Sequence, residues 1–196
     1  GHRGNRHARV EEGGEYNYLG EFKNNKFQGK GKLIYDDNTT YEGNFSNGYF
    51  SGEGNLLFRD GSYYKGNFEK NNFEGKGKFY FSDGRKYLGE WKDNYKNGFG
   101  IYLWKNNKKY MGYFKNGIKH GFGIFYLLNG KYVIGFWKYG KQNGFVKYIN
   151  EDKIRCGIYN DGKREKWYDD EDLFLYDYMK TDNTKYRSFF EMDVFS

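Results

Sequence analysis

Tyr41-Glu-Gly43-Asn-Phe45, a polar stretch, then Gly52-Glu-Gly54-Asn-Leu56-Leu-Phe58 and Asp60-Gly61: this run decides the fold. Aromatic, aliphatic and glycine positions alternate with polar ones in both halves, which is the period of a β-strand. Gly, Asn and Asp between two such halves signal a tight connection, so the run reads as one β-hairpin.

The hairpin recurs. Tyr18-Leu-Gly20-Glu-Phe22, Tyr64-Lys-Gly66-Asn-Phe68, Tyr87-Leu-Gly89-Glu-Trp91 and Tyr110-Met-Gly112-Tyr-Phe114 open further units, each followed by a polar loop such as Lys23-Asn24-Asn25-Lys26, and a sixth unit starts at Val133. Gly31, Gly54, Gly77, Gly100 and Gly123 stand 23 residues apart, with Gly29, Gly52, Gly75, Gly98, Gly121 and Gly144 beside them. Units of this kind cannot bury a core alone and must stack on their neighbours. The glycines fall inside the alternating runs on the aromatic face. They are expected to leave bare backbone over which rings from neighbouring hairpins lie. The sixth unit is one residue short before Arg155 and carries Val146 at its second glycine position; a partial seventh, Arg155-Cys-Gly157-Ile-Tyr159, ends the array. About twelve strands spaced ~4.8 Å make a ribbon near 60 Å long.

The sequence thus predicts an all-β chain: an elongated single-layer antiparallel sheet of stacked 23-residue hairpins over residues 15–164. Residues 1–14 show no strand period and are expected to be an irregular segment or an expression scar. Residues 165–196 form an acidic, aromatic C-terminal tail. Asp169-Asp-Glu-Asp172 ahead of Leu173, Tyr176 and Met179 suggests a helix start, and Thr184 a second short helix bearing Tyr186, Phe189, Phe190 and Met192.

Composition agrees with order despite a mean hydropathy of -1.08. Aromatic residues make up 23% of the chain, and each can bury roughly 150–250 Å². Cys156 is the only cysteine, which excludes an intrachain disulfide and suggests a reducing compartment. No stretch reaches the roughly 18 apolar residues of a transmembrane helix. The formal charge of +7 is uneven: residues 1–164 carry 29 basic and 17 acidic side chains, residues 165–196 carry 4 and 9. A basic array with an acidic tail invites an anionic partner or docking of the tail on the array.

The paired glycines within Tyr-x-Gly-x-Phe/Trp…Gly-x-Gly-x-Φ-x-Φ…Asp-Gly resemble the MORN (membrane occupation and recognition nexus) repeat over about residues 14–164. The family's frequent His before the second-half glycine survives as His120; Gln28, Ser51, Glu74, Asn97 and Asn143 stand at the other units. The resemblance implies a cytoskeletal or membrane-proximal scaffold, often dimeric, cytoplasmic and peripheral to membrane or cytoskeleton. It also implies a second option, since such repeats occur as regulatory or anionic-phospholipid-binding modules appended to lipid kinases and methyltransferases. The Lys, Asn, Tyr and Phe abundance is of the kind associated with AT-rich protist genomes.

The opposite strand face carries a further signal. In the second and third units it presents Glu42, Asn44, Glu53, Asn55 and Leu57, then Lys65, Asn67, Lys76, Lys78 and Tyr80. From the fourth unit the same positions become Leu88, Glu90, Phe99, Ile101 and Leu103, then Met111, Tyr113, Phe122, Ile124 and Tyr126, then Ile134, Phe136, Phe145, Lys147 and Ile149. Left bare, they would exceed the few hundred Å² of contiguous apolar surface that soluble monomers usually show. The chain's own tail, a helical partner or a second copy is expected to cover them.

Catalytic chemistry has little to work with. Convergent groups in a concavity are needed, and His2, His7 and His120 are scattered. Gly29-Lys-Gly31-Lys32 and Gly75-Lys-Gly77-Lys78 lie inside strands and lack the Walker spacing. We expect no enzyme activity, no cofactor, no metal, no small-molecule substrate and no nucleic acid, and a protein partner or homodimer instead. Lys92, Lys115 and Lys138 recur at one position of three units. They form a basic edge able to approach an acidic membrane surface or simply to stay solvated and block edge pairing.

Overall fold

The computed structural model describes residues 15–168 except Asp152. They form one fourteen-stranded antiparallel sheet in which every strand pairs with its neighbours in sequence order. The hairpins are β1–β2 (Tyr16–Lys23, Lys26–Tyr35), β3–β4 (Thr40–Ser46, Tyr49–Leu57), β5–β6 (Tyr63–Glu69, Asn72–Tyr80), β7–β8 (Lys86–Lys92, Tyr95–Leu103), β9–β10 (Lys109–Lys115, Ile118–Tyr126), β11–β12 (Tyr132–Lys138, Lys141–Asn150) and β13–β14 (Lys153–Asn160, Lys163–Tyr168). The expected count of about twelve strands was low. The seventh unit is a complete hairpin, and its second strand extends the sheet to Tyr168. The proposed tail helices and the segment 1–14 lie outside the described residues.

Each hairpin turns through two residues with positive φ, for example Asn24 and Asn25, Asn47 and Gly48, or Asn116 and Gly117. This is the turn type whose twist matches that of the flanking strands. The two glycine files do different work. The file from Gly29 to Gly144 also takes positive φ, from 56° at Gly52 to 95° at Gly144. Beside these glycines the register slips: Gly43 pairs with Gly54, but Asn44 pairs with Ser51, leaving Gly52 and Glu53 bulged out of their own hairpin. Glycine is needed there because of the backbone, not because of a ring above it.

The other file is a ladder of close approach. Gly31, Gly43, Gly54, Gly66, Gly77, Gly89, Gly100, Gly112 and Gly123 stand opposite one another strand after strand. Over it lie the opening tyrosines, but each from its own hairpin, which corrects the expectation of a neighbour's ring. Tyr41 covers Gly54, and Tyr64 covers Gly77. Each hydroxyl then donates to the carbonyl three residues on, beside the bulge: Tyr41 to Asn44 at 2.8 Å, Tyr64 to Asn67 at 2.9 Å and Tyr87 to Glu90 at 2.9 Å. Neighbouring hairpins are tied by the next aromatic. Tyr41 meets Phe68 edge-on at 5.1 Å, Tyr64 meets Trp91 at 5.5 Å and Tyr87 meets Phe114 at 5.2 Å. The main core is therefore a continuous layer of rings, with Leu33, Leu56, Val133 and Val146 among them, on one face of a single sheet.

Candidate interaction face

Residues directly opposite in an antiparallel pair project to the same side, so the pairings fix the second face without further assumption. One cross-strand row runs Lys32, Glu42, Asn55, Lys65, Lys78, Leu88, Ile101, Met111, Ile124, Ile134, Lys147 and Cys156. It is polar over β2–β6 and apolar over β7–β11. A second set joins successive hairpins: Glu53 faces Asn67 and Lys76 faces Glu90. Farther on, Phe99 faces Tyr113, Phe122 faces Phe136 and Phe145 faces Ile158. Phe99 and Tyr113 meet edge-on at 5.7 Å, and Phe122 and Phe136 meet tilted at 5.8 Å.

The third row, nearest the turns between hairpins, blurs the boundary. It reads Ile34, Thr40, Leu57, Tyr63, Tyr80, Lys86, Leu103, Lys109, Tyr126, Tyr132, Ile149 and Ile154. Leu57 is exposed within the half expected to be solvated. All thirteen apolar residues singled out from Leu88 to Ile149 nonetheless share this side of the sheet. The polar half of the same face lines a trough of about 1200 Å³ that runs from Leu19 to Phe99. Lys92, Lys115 and Lys138 end β7, β9 and β11 at exposed hairpin tips. By alternation from Leu88, Met111 and Ile134 they fall on the second-face side, so they edge the apolar half.

A compensating change on the core face went unread in the sequence. In the first three hairpins a phenylalanine stacks flat on the opening tyrosine: Phe27 on Tyr18 at 3.9 Å, Phe50 on Tyr41 at 3.7 Å and Phe73 on Tyr64 at 3.8 Å. The equivalent positions in the next three are Lys96, Lys119 and Gln142. Lys96 Nζ lies 4.7 Å from the Tyr102 ring centre, 5.6 Å from Phe114 and 5.8 Å from Tyr87. Lys119 Nζ sits 4.7 Å from Phe125 and 5.4 Å from Tyr110. Burial, with a smaller contribution from Arg85, pulls the Lys96 ammonium down to about 8; burial lowers Lys119 as well. The buried tyrosines move the other way, Tyr41, Tyr64, Tyr87 and Tyr110 all being raised mainly by loss of water. Over β7–β10, then, the core face gains charge while the opposite face turns apolar.

Three of the five departures at the family's histidine position share one task. Gln28 accepts from the turn amide of Asn47 at 3.1 Å, Glu74 from Asp93 at 3.0 Å and Asn143 from Asp161 at 3.2 Å. His120 Nδ1 accepts from Tyr139 at 3.5 Å. Amide, carboxylate and imidazole acceptors serve alike at these four units, so His120 needs no chemical role. Among the described residues no three His, Cys, Asp or Glu side chains gather as a metal site.

The MORN repeat family model matches residues 18–40, 41–63, 64–84, 87–109, 110–132 and 134–149. The chain belongs to the MORN repeat family. The seventh hairpin, β13–β14, stands beyond the matched repeats. Among solved structures, one similar fold is the TCP domain of SAS-4 (dCPAP) of Drosophila melanogaster, determined in complex with a proline-rich motif of Ana2 (dSTIL). It covers 70% of this chain and 82% of that chain, with 13% identity and a TM-score of 0.40. No curated protein matches the chain.

Proposed function

We propose that this MORN array is a non-enzymatic interaction scaffold that holds an apolar polypeptide segment against the second face of β7–β12. One observation carries the reading: the row that is Lys32, Glu42, Asn55, Lys65 and Lys78 becomes Leu88, Ile101, Met111, Ile124 and Ile134 on the same side of one sheet. A solvated face has no use for that change, and the core lies on the other side. Burying such residues contributes about 25 cal/mol per Å² of apolar surface removed from water, which favours a polypeptide occupant over a small molecule. The basic tips Lys92, Lys115 and Lys138 would then steer an acidic segment or an acidic membrane toward the array.

The test replaces Phe122, and in a second protein Lys76, by a photo-crosslinking phenylalanine analogue. Irradiation should yield a covalent adduct to polypeptide from position 122, intrachain or interchain, and little from position 76. Equal yields at the two positions, or none at 122, would overturn the scaffold reading.

A further inference from the structure

Burial along the second face is graded. Phe99 is 42% exposed and Tyr113 48%, whereas Ile134 and Ile149 are each 8% exposed. Beyond them Cys156 and Tyr168 are buried and pack with Phe145 and Ile158 into a cluster separate from the aromatic core. All these residues sit on the open side of one layer. Coverage therefore increases from β8 to β12 and persists at Cys156 and Tyr168, while Ile154 at the turn-side margin of β13 stays 47% exposed.

We propose that residues 169–196 of this chain fold back across the second face from β14 toward β7 and cover it, so that any other occupant must displace them. This rests on the scaffold reading and names the occupant of its surface in the isolated chain. Chain direction supports it, because Tyr168 lies on the last described strand and its side chain is buried on this face. Length fits too. Twenty-eight residues follow Tyr168; as an α-helix they would reach about 42 Å, while seven strand spacings from β14 to β7 measure about 34 Å. Charge is complementary. The segment carries eight acidic and three basic side chains, and Lys109, Lys147 and Lys166 project from the apolar half of the face. Composition also fits, with Leu173, Phe174, Leu175, Tyr176 and Met179 following the acidic run.

Cys156 supplies the probe, since its thiol is the only one in the chain and lies on this face. In the 196-residue protein the thiol should react slowly with dithiobis(nitrobenzoate). The double variant Leu173→Asp/Tyr176→Asp should react at least tenfold faster, with brighter anilinonaphthalene sulfonate fluorescence. Ile124→Asp, which disturbs the same contact from the sheet side, should also accelerate labelling. Unchanged thiol reactivity in the tail variant, at every protein concentration, would overturn the proposal. So would labelling that speeds up on dilution while the mass by light scattering halves, because a second copy would then be the cover. In either case an adduct from position 122 to another chain would leave the scaffold reading standing.

Discussion

Tyr41 and Gly54 occupy the same space: a Cβ at Gly54 would stand 2.5 Å from the Tyr41 hydroxyl oxygen. The ring, its hydrogen bond to Asn44 and its stack on Phe50 all require that residue 54 have no side chain. The sixth unit shows the alternative solution. There Val133 replaces the tyrosine and Val146 replaces the glycine, both buried, so aliphatic volume fills the place of a ring over bare backbone.

The pair must change together. Gly54→Ala should destabilise the array by about 2–3 kcal/mol through overpacking against a ring that cannot retreat. Val146→Gly should cost a comparable amount through a cavity and a more flexible backbone. Adding Val133→Tyr to Val146→Gly should recover most of that loss. Chemical denaturation of wild type, Val133→Tyr, Val146→Gly and the double variant checks this, with a coupling of about 1 kcal/mol or more expected.

Lys96 gives the array a stability that rises with pH. Its ammonium is depressed from 10.5 to about 8 in the folded chain by burial, so between about 8 and 10.5 the unfolded chain binds the extra proton. Stability rises through that window and is lost as pH falls through 8. The buried tyrosines, whose pKa values are raised, act oppositely above about 10. Lys96→Met should therefore stabilise at pH 7 by roughly 1–3 kcal/mol, and its advantage over wild type should shrink by pH 9.5. Parallel melting curves at the two pH values would show it; an advantage that stays constant would mean that the charge is not what costs stability.

The 23-residue period made the sheet, its strand direction and the two faces legible, because alternation and glycine spacing are local signals. Two features were hidden for physical reasons, and a third was legible but passed over. The last described strand, Lys163-Arg-Glu-Lys-Trp-Tyr168, lies at the edge of the described sheet, and its polar run lacks both alternation and glycine. Which hairpin supplies the ring over each glycine depends on register, since Tyr41 pairs with Leu56 and so lies diagonal to Gly54 in its own hairpin. Period alone is silent on that. The replacement of Phe27, Phe50 and Phe73 by Lys96, Lys119 and Gln142 could have been read nine residues after each opening position, as a polar side chain where stacking is due. The apolar rows of the second face were readable throughout, from Leu88 to Ile149, because strict alternation assigns sides.

Asn94 couples two hairpins through one side chain. It takes a φ of 67° in the β7–β8 turn, and its buried Oδ1 accepts from the Phe73 amide at 2.7 Å. Asn94→Gly keeps the backbone conformation but orphans the buried N–H, which should cost about 1–3 kcal/mol. Asn94→Ala adds left-handed strain and should cost about 1 kcal/mol more. The order wild type, glycine, alanine in melting temperature checks the division, and amide exchange at Phe73 should quicken in both variants.

The basic hairpin tips should act through charge alone if they approach an acidic bilayer. Lys92, Lys115 and Lys138 are exposed at successive tips along one edge, where each near-surface lysine contributes about 1 kcal/mol of attraction. The triple variant Lys92→Gln/Lys115→Gln/Lys138→Gln should lower partitioning onto phosphatidylserine-containing vesicles about 100-fold at low salt, that being about 3 kcal/mol at 1.4 kcal/mol per tenfold. Raising ionic strength from 0.05 M to 1 M shortens the screening length toward 3 Å and should abolish wild-type binding equally. Phe122→Asp should leave vesicle binding unchanged, because the apolar half is assigned to a polypeptide. Salt-insensitive partitioning, or its loss in Phe122→Asp, would transfer the membrane contact from the lysine edge to the apolar face.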